Sequence, residues 1–161
     1  MQSREAVAEL WLRRVLRDYP PQAAQFMAAE KDPFHNPAGH TLQSALAVLL
    51  DELLAGMDRG RITPALDSMM QLKAVQDLAP SSALRFLFDL KEILRIHCRD
   101  ADFAQLSARI DEMALQAFDL FVQYRERTSQ ARANEVRRRV FVLERRMNRE
   151  DRMAWQERGG N

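Results

Sequence analysis

Apolar residues recur along the chain at intervals of three and four positions, which is the spacing of one face of a helix. No segment alternates apolar with polar residues as a half-buried strand does. The segment from Leu42 to Leu54 is apolar on nearly every side, which predicts a central helix. Neither glycine nor proline occurs between Pro80 and Gly159, so long helices are predicted there. The pattern therefore predicts an all-α fold.

Prolines and capping residues divide this pattern into six predicted helices. The first ends before Tyr19, and the second begins at Pro21, because proline suits the first turn of a helix. Asn36 is predicted to cap a third helix that begins at Pro37 and ends near Met57. The predicted starts of the last three helices are Thr63–Pro64, Pro80 and Asp102, and the fourth helix is predicted to end near Asp77.

The sixth helix is predicted to continue to about Asn148. Its first half has apolar residues at intervals of four, three, four and four from Leu106 to Phe121, and these are expected to face the body of the domain. The apolar stripe lapses between Tyr124 and Glu135 and then returns at intervals of four, three and four. This spacing is that of the a/d seam of a coiled coil, which needs a partner to cover it. The seam consists of Val136, Val140, Leu143 and Met147.

These patterns predict three parts along the chain. Residues 1–127 are expected to form a helical sensor domain, and residues 128–149 a helical extension continuous with its last helix. Residues 150–161 are expected to form a disordered polar tail. Charge is also unevenly distributed, since residues 1–124 carry 13 basic and 17 acidic side chains, whereas residues 125–161 carry 11 arginines and 6 acidic side chains. We therefore expect the C-terminal part to have a role of its own.

The arginines of this C-terminal part permit two interpretations. They could neutralise the phosphates of a nucleic acid. Acidic residues interrupt the run, however, so ion pairs at the flanks of a coiled coil are favoured, and a nucleic-acid binder is kept as an alternative. The arginines concerned are Arg137, Arg138, Arg139, Arg145, Arg146, Arg149 and Arg152.

The sequence predicts no catalytic residues, no metal site and no cofactor. His35 and His40 lie five residues apart across a proline turn and His97 is distant, so none of them joins a ligand spacing typical of zinc sites. No glycine-rich loop opens a helix, as nucleotide binding requires. The single cysteine, Cys98, excludes an internal disulfide, and no apolar run approaches the length of a membrane span. A cytoplasmic protein without a secretory signal is therefore expected.

Three runs of the sequence, Phe34–His40, Val75–Lys91 and Tyr124–Arg138, resemble one known family. The family is the N-terminal sensor domain of RsbT co-antagonists of the RsbR or RsbRD type, and the resemblance covers about residues 5–147. It implies a non-haem globin fold that dimerises and stands on the stressosome, a signalling complex that holds or releases a switch kinase. It also implies a regulatory protein partner of the STAS-domain or switch-kinase type.

The resemblance implies that the third to sixth helices correspond to the E, F, G and H helices of a globin. A globin holds haem iron through a histidine on the second of these helices, and Thr63–Asp77 contains none, so haem is not expected. Family members usually continue into a STAS domain, whereas this sequence stops at Asn161. A domain cut from a longer protein and a free-standing module are both left open.

We therefore expect a non-enzymatic, signal-sensing domain with a globin-like bundle of about six helices and a coiled-coil stalk. It would form a homodimer, with the seam as a parallel interface, and relay ligand or partner binding through its last helix. A carrier of a small hydrophobic ligand is the other alternative. The residues expected to take part in sensing and relay are Phe34, Asn36, His40, Asp77, Ser81, Tyr124, Arg125, Asn134 and Glu135.

Overall fold

The computed structural model of the chain describes the backbone of residues 4–76, 78–97 and 100–159. These residues form six α-helices and no β-strand, which confirms the all-α prediction. The chain divides into an N-terminal unit, residues 1–124, and a C-terminal unit, residues 125–161. The helices are α1 (Arg4–Val15), α2 (Pro21–Ala29), α3 (Pro37–Leu54), α4 (Arg59–Ala74), α5 (Pro80–His97) and α6 (Asp100–Gly159), with a short 3-10 turn at Leu16–Asp18 after α1.

The start of α3 follows the prediction, whereas the turn between α3 and α4 differs from it. Helix α3 ends at Leu54 rather than near Met57, and Met57 adopts a left-handed backbone with a φ of 61°. Helix α4 begins at Arg59 rather than at Thr63–Pro64, because the Asp58 side chain accepts a hydrogen bond from the Gly60 N–H at 2.9 Å. Pro64 therefore lies inside α4.

The side chain of Glu52 connects the two helices at this turn. Its side chain is buried although it carries a charge. One carboxylate oxygen accepts a hydrogen bond from the Asp58 N–H at 3.1 Å, and the other pairs with an Arg61 guanidinium nitrogen at 2.6 Å. The end of α3 is therefore tied to the first turn of α4 by one side chain, an arrangement that the sequence pattern did not reveal.

The core of the N-terminal unit is built around α3, as predicted. Helix α3 packs against α4, α1 packs against α5 and α3, and α2 packs against α3. The apolar stripe in the first half of α6 is also buried, so its predicted orientation toward the body is confirmed. The buried leucines of α3 are Leu42, Leu46, Leu49, Leu50 and Leu53. The buried residues of the α6 stripe are Leu106, Ile110, Met113, Ala117 and Phe121.

A buried lysine lies in this core, at a position for which the sequence pattern predicts no buried charge. The Lys73 side chain on α4 is 0% exposed, and its Nζ lies 3.1 Å from the Asp18 Oδ2 of the 3-10 turn. The same Nζ lies 5.6 Å from the centre of the Phe86 ring. Trp11 of α1 also contacts Phe86. Its ring stacks on the Phe86 ring, and its Nε1 donates a hydrogen bond to the Phe86 carbonyl at 2.6 Å. The ion pair and the aromatic stack therefore join α1, α4 and α5.

Beside this pair, Tyr19 is partly buried and accepts a hydrogen bond from the Gln76 side chain at 2.9 Å. Burial raises the pKa of the Tyr19 phenol above its ordinary value, and the hydrogen bond from Gln76 lowers it in part. The phenol therefore stays neutral at physiological pH.

The C-terminal unit consists of the second part of α6, from Arg125 onward. The helix continues to Gly159, beyond the predicted end near Asn148 and through most of the segment expected to be disordered. The absence of glycine and proline before Gly159 accounts for this continuation. Among the helices within the described residues, none combines the length and the hydropathy required to cross a lipid bilayer.

Candidate functional site

The loop before α3 and the first turn of α3 hold three of the expected residues, and these have different environments. Asn36 is 2% exposed, so its amide is buried. Its Nδ2 donates to the carbonyls of Met27 at 3.2 Å and Glu30 at 2.9 Å, and its Oδ1 accepts from the Gly39 N–H at 2.9 Å. The side chain thus caps α3 and holds the end of α2.

Phe34 and His40, in contrast, are exposed, with Phe34 at 94%. The Phe34 N–H donates to the Asp32 carboxylate at 2.9 Å, so the backbone of the loop is fixed while the ring points to solvent. Position 39 requires glycine, because a Cβ there would lie 2.2 Å from the Asn36 Nδ2. The loop therefore offers a ring on a rigid turn rather than a pocket.

Replacing Asn36 by alanine is expected to lower the free energy of unfolding by about 2 kcal/mol, because it removes the cap and leaves the partly buried Glu30 carbonyl without the donor of Asn36. Urea denaturation followed by circular dichroism measures this change. His40→Ala is the matched control in the first turn of the same helix, and we expect it to leave the midpoint nearly unchanged because His40 is exposed. Equal losses in both variants would contradict the structural role of Asn36.

Ser81 borders an open groove of about 470 Å³ on the N-terminal unit. Leu84 forms its buried floor, and the half-exposed rings of Phe88 and Phe118 form its walls. At one side, Arg14 of α1 pairs with Glu92 at 2.6 Å and with Asp89 at 3.4 Å. The hydrogen bond that Arg14 donates to the Glu92 carboxylate raises the pKa of Arg14 further above its ordinary value.

The groove is of the size that small ligands occupy, and it combines apolar walls with a few polar groups. Of the groove residues, only Ser81 was expected from the sequence to take part in sensing; Phe88 and Phe118 were not. Spacing on α5 and α6 separately gives no sign that their exposed faces meet. Asp77, which was expected beside Ser81, lies outside the described residues.

The four expected residues near the end of the N-terminal unit do not form one cluster. Tyr124 donates its hydroxyl to the Asp67 Oδ1 at 2.9 Å, within the N-terminal unit. Asn134 and Glu135 are exposed on the C-terminal unit, where Glu135 accepts from the Arg139 Nε at 2.9 Å. Arg125 begins that unit and is also engaged in a contact. These residues are therefore part of the helix surface and its local packing.

The predicted seam is an exposed apolar stripe of the C-terminal unit. Its four side chains lie on one stripe of a continuous helix and are exposed in the single chain. Their exposed fractions are 60% for Val136, 47% for Val140, 56% for Leu143 and 63% for Met147. A helix stripe of this kind is stable in water when another apolar surface covers it. Within the described part of the chain, no group of three or more histidine, cysteine or acidic side chains is placed to hold a metal ion.

The family model for the N-terminal domain of the RsbT co-antagonist protein RsbRD matches residues 5–136. The chain belongs to this family. The match confirms the family that the three sequence runs indicated. RsbRD N-terminal domains are stressosome-related and regulatory. No curated protein and no solved structure matches the chain. Only Val136 of the seam falls within the matched residues, whereas Val140, Leu143 and Met147 lie beyond them.

Proposed function

We propose that this RsbRD-type domain is a signal-sensing module of a stress response that pairs with a second copy of itself through the seam. The observation that carries the proposal is the exposure of Val136, Val140, Leu143 and Met147 at a/d spacing on an uninterrupted helix. Pairing two such helices would remove these side chains from water. The module acts in the cytoplasm with a regulatory protein of the STAS-domain or switch-kinase type, and without haem or another cofactor.

Charges beside the seam favour a parallel dimer. In a parallel, in-register coiled coil, the g position of one helix faces the following e position of its partner. With Val140 and Met147 at a positions, this rule sets Arg139 opposite Glu144 and Arg146 opposite Asp151 of the other copy. These two attractive pairs outweigh the one repulsive pair, Arg132 with Arg137. In the reversed orientation, the attraction between Arg137 and Glu144 is offset by the repulsion of Arg139 and Arg146. The parallel arrangement is therefore the more favourable of the two.

Relay would follow from a change in how the two copies of α6 pack. Between Glu126 and Glu135 the helix has no apolar stripe, so two packings of similar energy are plausible there. A ligand or partner that binds the N-terminal unit better in one packing would shift the population toward it. The groove beside Ser81 and the exposed Phe34 ring are the surfaces through which such a signal would enter.

The groove also supports a second candidate function, the carriage of a small hydrophobic ligand. Its volume of about 470 Å³ and its two phenylalanine walls suit an apolar molecule. Mass spectrometry of the purified protein after mild extraction tests this function. A stoichiometric co-purified lipid that is lost in a Phe118→Ser variant would favour carriage over relay.

Light scattering of the full chain and of a truncation after Arg127 tests the dimer. We expect a dimer for the full chain and a monomer for the truncation, because the truncation removes the whole seam. The buried apolar core ends at Phe121, so circular dichroism should show that the truncated protein is folded. Two monomers would refute the proposed dimer, and two dimers would place the interface on the N-terminal unit instead.

A further inference from the structure

The C-terminal helix has a second unusual face, opposite the seam. At about 100° per residue, Arg138, Arg145 and Arg149 fall within about 40° of one another and roughly 180° from the centre of the seam. Phe141 and Val142 flank these three arginines, one on each side. We refer to these five residues as the back face. It stays open to solvent when the seam is covered by a second copy.

The contacts of the back face are those of a surface without a partner. Among the described residues, no carboxylate pairs with Arg138, Arg145 or Arg149. Phe141 is 57% exposed and Val142 is 43% exposed, although neither belongs to the seam. The Arg145 guanidinium lies 5.8 Å from the centre of the Phe141 ring, and both border a shallow depression of about 230 Å³. Charge and apolar area are thus combined on one side of the helix.

We propose that the back face docks an acidic helical segment of a partner protein. The three arginines lie seven and four residues apart, which is about 10.5 Å and 6 Å along the helix axis. Carboxylates at the same intervals on a second helix match these positions, and arginine binds a carboxylate through two parallel hydrogen bonds. Apolar side chains beside those carboxylates would cover Phe141 and Val142. The net positive charge of residues 125–161 also attracts an acidic partner over a longer range.

The arrangement of the side chains favours a protein over the other polyanions. Arg145 covers one face of the Phe141 ring, which reduces the ring's capacity to stack on nucleic-acid bases. A helix that lies on a membrane has its apolar residues at the centre of one face and its basic residues at the edges. On the back face the order is reversed, because the arginines are central and Phe141 and Val142 are at the edges.

A binding measurement with the full chain tests this proposal. The probe is a synthetic helical peptide with glutamates at positions 1, 8 and 12 and leucines beside them. A scrambled peptide of the same composition is the control peptide. The test variant is R138E/R145E. The matched control is R17E/R95E, which makes the same change in net charge at two exposed arginines of the N-terminal unit that have no ion pair among the described residues.

We expect the ordered peptide to bind at least about tenfold more tightly than the scrambled one, and the test variant to lose at least about tenfold in affinity while the control does not. Equal binding of both peptides, or no binding of either, would overturn the proposal. Tighter binding of a single-stranded oligonucleotide or of anionic vesicles, lost in the same variant, would replace it by a nucleic-acid or lipid surface. Light scattering separates this result from the dimer, because R138E/R145E leaves every seam residue in place.

Discussion

Replacing Asp18 by alanine is expected to lower the free energy of unfolding by about 3 kcal/mol. The reason is that Lys73 is 0% exposed and Asp18 carries the carboxylate that pairs with it, at 3.1 Å. Without that carboxylate, the Lys73 side chain would remain in the core beside the Phe86 ring and without its acidic partner. Urea denaturation of the full chain, followed by circular dichroism and tryptophan fluorescence, measures the loss.

Two further variants separate the buried charge from simple loss of contacts. In D18A/K73M the charge itself is removed and methionine fills the space, so we expect the stability to return to within about 1 kcal/mol of the wild type. Asp111→Ala breaks the surface pair with Lys91, which is 2.8 Å long, and should cost less than about 1 kcal/mol. A D18A/K73M protein as unstable as Asp18→Ala would show that the carboxylate has another role.

The helices of this domain could be predicted because apolar spacing and capping act over short distances along the chain. Asn36 illustrates this, since its cap involves a residue three positions later. The turn from α3 to α4 was predicted wrongly because Thr63–Pro64 resembles a helix start more closely than Asp58 does. The Asp58 side chain caps α4, and the Asp58 N–H is held by the carboxylate of Glu52, which tertiary burial places at the turn.

The candidate surfaces also differ in whether their residues lie on one helix or are brought together by packing. The seam is visible in the sequence because all four of its residues lie on one helix. The groove is not, because Leu84 and Phe88 come from α5 and Phe118 from α6, and only packing brings them together. The Lys73–Asp18 pair joins residues 55 positions apart, and a single lysine in an apolar stripe gives no indication of its partner. Non-local contacts of this kind leave no periodic signal in one sequence.

Family membership and the seam support different parts of the proposed function. The match to RsbRD N-terminal domains assigns the chain to a regulatory, stressosome-related family. It ends at residue 136, so it says little about the helix that follows. The proposal for that helix rests on Val140, Leu143 and Met147, whose exposure requires a physical reason of its own. A substitution within the seam therefore tests the dimer without depending on the family.

Replacing Leu143 by aspartate is expected to weaken the dimer about a thousandfold. Each copy would lose the burial of one leucine, worth about 2 kcal/mol, and two carboxylates would face each other across the seam. Sedimentation equilibrium of the full chain over a range of concentrations measures the dissociation constant.

Val142→Asp is the matched control for this measurement, because Val142 is the adjacent residue, is also partly exposed, and lies outside the seam. It should leave the dissociation constant within about threefold of the wild type, since surface substitutions away from an interface have small effects. If both aspartates weakened the dimer equally, the interface would not be an a/d seam. If neither did, the two copies would have to meet elsewhere, and the exposed apolar stripe from Val136 to Met147 would require a different partner.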